Sequence, residues 1–243
     1  MARSFDLILF DLGNTLIYST RHWRDLFFQS HTALCQALLA AGVPIDPERF
    51  AARFRQRTAE NFAAREASLV EITTAQILQE TLQLEGFADV PSQTIRQSLA
   101  AMYAVTQKNY CLEADTHATL TALRSSGCRL GLISNAADAA DVNTLIDRDN
   151  LRPYFERIWI SAEVGVRKPH PLIFQLALDF FGTSPARTAM VGDSLPADIQ
   201  GAQSVGITAI WLTRRADSPE NHAVQSHIHP DRSIPTLAAL LKV

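Results

Sequence analysis

The sequence predicts an α/β fold: a doubly wound parallel sheet interrupted by one inserted, all-helical domain. Three observations predict it. Short, continuously apolar runs recur along the chain, and each stops at a polar residue or a glycine. Helical periodicity separates these runs. Residues 18–105 carry helical signals alone.

The first run, Leu7-Ile8-Leu9-Phe10, stops at Asp11. It is too short for a helix and apolar throughout, which suits a strand buried on both faces. Residues 129–133, 157–160, 188–191 and 207–212 repeat the pattern, stopping at Ser134, Ser161, Gly192-Asp193 and Thr213. After Pro169 and Pro171, the residues Leu172, Ile173, Leu176, Ala177 and Phe180 recur at helical spacing, with Gly182 as the stop. Strands alternating with helices imply a parallel sheet covered on both faces.

The inserted stretch predicts four helices. One runs from near His22 to Ala41, ended by Gly42 and Pro44. A second starts near Pro47 and sets Phe50 and Phe54 four apart. A third covers 74–84, before Gly86. A fourth starts at Ser92, read as an N-cap, and aligns Ile95, Leu99 and Met102 on one stripe. The expected division is therefore 1–17 and 106–243 for the α/β core and 18–105 for the helical domain. Near the end, His222, His227 and His229 match no zinc spacing and read as a loop and a final edge strand, followed by a last helix over 234–241.

Composition narrows the functional classes. A chain of 243 residues suffices for one large domain or a domain with an insert. Apolar residues make up 47% and charged residues 19%, the balance of an ordinary globular protein. A formal charge of -3 provides no basic surplus for nucleic acid, so no such partner is expected. Cys35, Cys111 and Cys128 are dispersed, without a C-x-x-C pair, and read as free thiols in a reducing compartment. No apolar run approaches the ~18 residues of a membrane span. The first strand begins at Leu7, leaving no room for a secretory signal, and the chain reads as cytoplasmic with no membrane partner.

Ligands in open α/β sheets bind beyond the carboxyl ends of the strands. Here those ends deliver Asp11, then Ser134-Asn135, then Lys168 in the loop after the third run, then Asp193 with Asp198. Covalent phosphoryl transfer needs this set. A carboxylate attacks phosphorus, a divalent cation screens its repulsion from the phosphate, and a hydroxyl, backbone amides and an ammonium bind the non-bridging oxygens. Oxygen ligands with one or two carboxylates suit Mg²⁺. Singly, each residue is explained as well by a turn, a helix cap or a solvated surface lysine. Together, in this order and at strand ends, they point to one site.

These residues resemble the motifs of the haloacid dehalogenase superfamily over nearly the whole chain. Phe10-Asp11-Leu12-Gly13-Asn14-Thr15-Leu16 is similar to its first motif, D-x-D-x-T, and Leu132-Ile133-Ser134-Asn135 to the second. Arg167-Lys168-Pro169-His170-Pro171 resembles the third, and Val191-Gly192-Asp193-Ser194 through Asp198 the fourth. The helical insert resembles the cap of phosphoglycolate phosphatase-like members, which lies between motifs one and two. The resemblance implies a Rossmann-like core and an enzyme. Asp11 would be the nucleophile, and Asp11, Asp193 and the Gly13 carbonyl would hold Mg²⁺. Ser134 and the Asn135 amide would bind the phosphoryl group, and Lys168 would neutralise Asp11 and phosphate. Asp198 would act through a water or by orienting Lys168, and Thr15 would make a local bond fixing the loop after Asp11. The implied substrate is a small phosphorylated metabolite.

One position departs from the pattern. The second Asp of the first motif, the general acid of family phosphatases, is Gly13. Such an acid contributes typically about 10²–10⁴ in rate. The chain can therefore be a phosphatase acting on a good leaving group or helped by another group. It can instead be a catalytically weak, phosphate-binding regulator. A dehalogenase is a third reading, opposed by Asp193, which those members usually lack. Phosphonate cleavage would need a lysine in the cap, and 18–105 contains none. For specificity, His22, Arg24, Arg65 and Glu66 are polar candidates. Arg53, Arg55 and Arg57 add basic charge, and Trp23, Phe27 and Phe28 read as core of the helical domain.

Overall fold

The structure is a computed structural model that describes residues 5–21 and 23–242; the side chains of Trp23 and Arg24 lie outside the described set. In chain order its strands are β1 (Leu7–Phe10), β2 (Ile17–Ser19), β3 (Tyr110–Leu112), β4 (Arg129–Ser134), β5 (Arg157–Ile160), β6 (Thr188–Gly192), β7 (Thr208–Leu212) and β8 (Arg232–Ile234). The first six α-helices are α1 (Trp23–Ala40), α2 (Pro47–Ser68), α3 (Thr74–Leu84), α4 (Ser92–Gln107), α5 (Thr116–Ser125) and α6 (Ala139–Arg148).

Six strands form one sheet in the order β5-β4-β1-β6-β7-β8, and every adjacent pair is parallel. Strand β1 is central and buried at all four positions, as its unbroken apolar run requires. Phe10 is in register with Leu132 on one side and Val191 on the other. Asp11 therefore leaves the sheet level with the ends of β4 and β6. The chain goes from β1 to β4 on one flank and returns to β6 on the other, so a switch point opens beyond β1, where such sheets bind ligands. On one face Leu7, Leu9, Ile133 and Met190 pack against Ile173, Phe174, Ala177 and Phe181 of the helix Pro171–Phe181. That helix stops at Gly182, whose φ of 60° is the left-handed conformation a C-terminal glycine tolerates.

The chain divides into two compact units. One comprises the described residues of Met1–Tyr18, Cys111–Asn135 and Ile146–Val243 and carries the sheet. The other comprises Ser19–Tyr110 and Ala136–Leu145. Ala136–Leu145 joins the helical unit through two bonds. The Thr74 N–H donates to the Ala137 carbonyl at 2.9 Å, and Gln107 Nε2 donates to Asp141 Oδ1 at 2.8 Å. The helical unit has its own core of Leu34 and Leu38, Phe50 and Phe54, Ile77, Leu78 and Leu82, and Ile95, Leu99 and Met102. The Phe50 and Phe54 rings stack at 6.5 Å, one helical turn apart on α2.

Several expectations change. Strands β2 and β3 form a separate two-stranded sheet that the sequence did not announce, because three half-buried residues carry no periodicity. Ser92 does not cap α4; Pro91 holds the cap position, and Ser92 Oγ accepts from Arg96 Nη1 at 3.3 Å. The last helix is a 3-10 turn, Leu237–Lys242. Phe28, expected in the helical core, is 74% exposed. No helix among the described residues is long and apolar enough to cross a membrane.

Buried His31 lies edge-on to Phe27 at 4.0 Å and to Phe54 at 5.4 Å, and its Nδ1 has no hydrogen-bond partner among the described residues. Burial first, and then Arg55, lower its pKa from 6.5 to about 4. The fold thus keeps the imidazole neutral while the unfolded chain protonates it. Stability is full above pH 6.5 and falls as pH drops towards 4. Asp141, pushed up to about 6 by burial, has the opposite slope over part of this range. The clean observable is therefore a difference. Between pH 7.5 and 5, His31→Leu should lose less stability than wild type by on the order of 2 kcal/mol. Urea denaturation at the two pH values measures it, and equal losses would show that His31 does not titrate in this way.

Candidate active site

Four loops at the carboxyl ends of the neighbouring strands β5, β4, β1 and β6 bring the site together. The Asp11 N–H donates to the Val191 carbonyl at 2.9 Å, which extends the β1–β6 ladder by one bond and fixes the backbone at Asp11. The Lys168 ammonium, only 2% of that residue being exposed, donates three hydrogen bonds. They go to Asp11 Oδ1 at 2.6 Å, Asp198 Oδ1 at 2.6 Å and the Ile133 carbonyl at 2.8 Å. These use all three donors of an ammonium. Burial pulls Lys168 down, but the two carboxylates more than offset it, and its pKa is raised.

Asn135 works on Lys168 through its side chain. Its Oδ1 accepts from the Lys168 N–H and its Nδ2 donates to the Lys168 carbonyl, each at 2.8 Å. The pair of bonds clasps the loop after β5 to the end of β4. Ser134 is buried at the end of β4, and its Oγ has no protein partner among the described residues. The hydroxyl is thus free for a ligand.

Asp198 completes the ammonium's cage. Its second oxygen, Oδ2, accepts from the Ser194 N–H at 3.0 Å, so both oxygens are engaged. The carboxylate passes directly over Gly192; a Cβ there would lie 2.1 Å from Asp198 Oδ2. Only glycine fits at this close approach. Of the two roles considered for Asp198, orienting Lys168 matches its contacts.

Asp11, Asp193 and Asp198 each offer an oxygen within 4.8 Å of the others. Burial first, then the carboxylates of Asp11 and Asp198, push Asp193 well above the usual carboxylate range. Burial raises Asp11 to about 6 against the pull of Lys168. When ionised, three carboxylates face one ammonium, and negative charge is left uncompensated. An all-oxygen donor set with surplus negative charge fits a hard divalent cation such as Mg²⁺.

Gly13 has open space where a side chain would stand, with nothing within 4 Å of an added Cβ. Thr15 departs from expectation. Its Oγ1 is buried without a hydrogen-bond partner among the described residues, so packing, and no local bond seen there, holds that side chain. Of the specificity candidates, Arg53 pairs with Glu85 at 2.9 Å, Arg57 with Glu80, and Arg65 with Glu71 at 3.3 Å. His22 and the side chain of Arg24 lie outside the described residues.

Three residues around Asp193 escaped sequence reasoning. Asn14 adopts a left-handed φ of 55°, which Asn tolerates, and its Nδ2 lies 3.4 Å from Asp193 Oδ2. Trp211 Nε1 and Asn221 Nδ2 both donate to the Asp193 carbonyl at 2.9 Å. Asn14 lies within the first motif and could have been suspected. Trp211 sits inside an apolar run and Asn221 in the short polar helix Pro219–Val224, and neither carries a local signal.

The profile of haloacid dehalogenase-like hydrolases matches residues 5–206. The chain is 34% identical over 126 residues to a phosphoserine phosphatase of Thermus thermophilus, covering 51% of this chain and 50% of that protein. It is 27% identical over 220 residues to a glyceraldehyde 3-phosphate phosphatase of Methanothermobacter thermautotrophicus, covering 90% and 91%. The matched region thus spans half the length of the first relative and most of the second. A solved 2-haloacid dehalogenase from Pseudomonas syringae pv. Tomato DC3000 superposes with a TM-score of 0.68 at 22% identity, over 98% of this chain and 97% of that one. At that identity the likeness concerns the fold alone.

The two glycines of the site should respond differently to the same change. Gly192→Ala forces Asp198 off Lys168 and should destabilise by about 1–3 kcal/mol, as overpacking does. Gly13→Ala meets open space and should stay within about 0.5 kcal/mol. Chemical denaturation of both variants checks this; similar losses would mean that Gly192 is not closely packed.

Proposed function

Since this chain belongs to the haloacid dehalogenase-like hydrolase family, we propose that it is a Mg²⁺-dependent phosphatase of small phosphorylated metabolites, working through an aspartyl-phosphate on Asp11. The observation that carries this reading is the buried Lys168 ammonium tied to both Asp11 and Asp198, beside the Asp193 carboxylate. A carboxylate held in this way is pre-positioned, and its approach to a phosphate dianion is electrostatically relieved.

Asp11, Asp193 and the Gly13 carbonyl would hold the Mg²⁺. When bound, the ion supplies charge that offsets the repulsion between carboxylate and phosphate. Ser134 Oγ and the Asn135 backbone amide take the non-bridging oxygens. An Asp11 carboxylate oxygen attacks phosphorus, and the P–O bond to the leaving alcohol breaks with its electron pair. The departing oxygen takes its proton from water, because Gly13 offers none. A second water then attacks the phosphorus of the acyl phosphate. Inorganic phosphate leaves and the Asp11 carboxylate is restored.

Asp193 close to Asp11 favours this chemistry over halide displacement, which needs no cation. The relatives named as phosphatases agree in reaction class. The bare Gly13 favours, as a second reading, a slow enzyme that serves as a phosphate-binding regulator. Tight binding of Mg²⁺ and phosphate without turnover would be its mark.

Phosphate release with Mg²⁺ or EDTA, over phosphorylated metabolites, acetyl phosphate and p-nitrophenyl phosphate, tests the proposal. Release should depend on Mg²⁺, and Asp11→Asn should reduce it by more than about 10²-fold. The variant should stay folded, because losing one carboxylate also relieves its repulsion with Asp193 and Asp198. Activity that survives in Asp11→Asn would remove Asp11 as nucleophile.

Gly13→Asp restores a carboxyl group where space exists for it. It should speed hydrolysis of alkyl phosphates more than of acetyl phosphate, within the about 10²–10⁴ typical of acid–base help. An equal effect on both classes would show that leaving-group protonation does not limit the rate.

A further inference from the structure

Asn221 lies in the short helix Pro219–Val224, outside every motif of the site, and is 1% exposed. A buried primary amide is costly unless its polar atoms are paired. Here they are. Oδ1 accepts from the Leu195 N–H at 2.7 Å. Nδ2 donates to the Asp193 carbonyl at 2.9 Å and to the Ala216 carbonyl at 2.8 Å. The side chain therefore grips the backbone on both sides of Ser194. Trp211 Nε1 adds a second bond to the Asp193 carbonyl, which uses both of its lone pairs.

In the same loop, the Ser194 N–H is held by Asp198 and the Asp193 carboxylate lies near Asp11. The loop is thus held both by the acidic cluster and by Asn221. Like charges around Asp193 push its carboxylate away from the cluster, and the clamp on its backbone opposes that push.

We propose that Asn221 is a positioning residue that sets the affinity of the site for its divalent cation by fixing the backbone of Asp193. The proposal rests on the reading of Asp193 as a metal ligand. Partners that orient metal ligands typically contribute 10–100-fold in affinity. The Asn221 side chain is spent wholly on backbone groups of Asp193, Leu195 and Ala216, so the effect of losing it falls on metal binding. At saturating Mg²⁺, kcat should return to near the wild-type value.

The test is calorimetric titration of the full chain with Mg²⁺, for wild type, Asp193→Asn, Asn221→Ala and Asn221→Asp. Asn221→Asp keeps the size and the acceptor for Leu195, but turns the donating end into a carboxylate oxygen that repels the Asp193 and Ala216 carbonyls, so it breaks the clamp without opening a cavity and serves if Asn221→Ala does not fold. The expected result is a Mg²⁺ dissociation constant raised about 10–100-fold in the Asn221 variants. The Mg²⁺ concentration for half-maximal activity should rise in parallel, with KM for substrate at saturating Mg²⁺ unchanged. Unaltered Mg²⁺ affinity in a folded Asn221 variant, when Asp193→Asn loses binding, overturns this inference and leaves the metal site standing. Equal Mg²⁺ affinity in wild type and Asp193→Asn, or no binding by wild type, overturns both.

Discussion

The Lys168 ammonium has its three donors committed to Asp11, Asp198 and the Ile133 carbonyl, and much of the surrounding structure serves that arrangement. A buried charge costs several kcal/mol in lost hydration unless partners fully satisfy it. The sheet supplies those partners in register: Asp11 from the end of β1, and Ile133 from β4 beside it. Asn135 clasps the Lys168 backbone, Gly192 leaves room for the Asp198 carboxylate, and the Ser194 N–H holds its other oxygen.

The same economy explains the charge of the site. Lys168 has no hydrogen left for Asp193, which therefore faces two other carboxylates with Asn14 Nδ2 at 3.4 Å from its Oδ2. Burial raises Asp193 and Asp11, whereas a bound divalent cation would hold them ionised. Gly13 sits within this charged arrangement as an open position. Its backbone carbonyl remains available, and its lack of a side chain removes a proton carrier without disturbing any packing.

The helical unit is built by different means. Its stability rests on an aromatic and aliphatic core across α1 to α4, and several of its arginines are consumed by local ion pairs with Glu85, Glu80 and Glu71. The exposed pair Arg57–Glu80 contributes little energy, roughly 0–1 kcal/mol, whereas the Glu85 and Glu71 carboxylates are buried and need their arginine partners. What the pairs do is fix long side chains and neutralise acidic ones. The basic residues that looked like free anion ligands in the sequence are thus partly accounted for by their neighbours.

How much of this was legible depends on the range of the interaction. Unbroken apolar runs located β1, β4, β5, β6 and β7, because strands buried on both faces must be apolar throughout. Helical stripes located α1 to α4 for the analogous reason, and the polar residues at strand ends marked Asp11, Ser134, Lys168, Asp193 and Asp198 as one site. The three-residue strands β2 and β3 were too short to show a period, and Ser92 looked like a cap until Pro91 took that place; the expected final edge strand is present as β8, but His222, read as loop or strand, lies in the helix Pro219–Val224 before it. What only the tertiary structure decided were the pairings. Asn135 was assigned to phosphate by its backbone, yet its side chain binds the Lys168 loop. Thr15 was expected to bond and is merely packed. Asn221 is joined to Asp193 across 28 residues of chain. The sequence by itself determined which residues are apolar, charged or conformationally free, and so the element order and the chemistry at the strand ends. Which buried polar atom meets which is settled by chain closure over long separations, and no local pattern of residues encodes that.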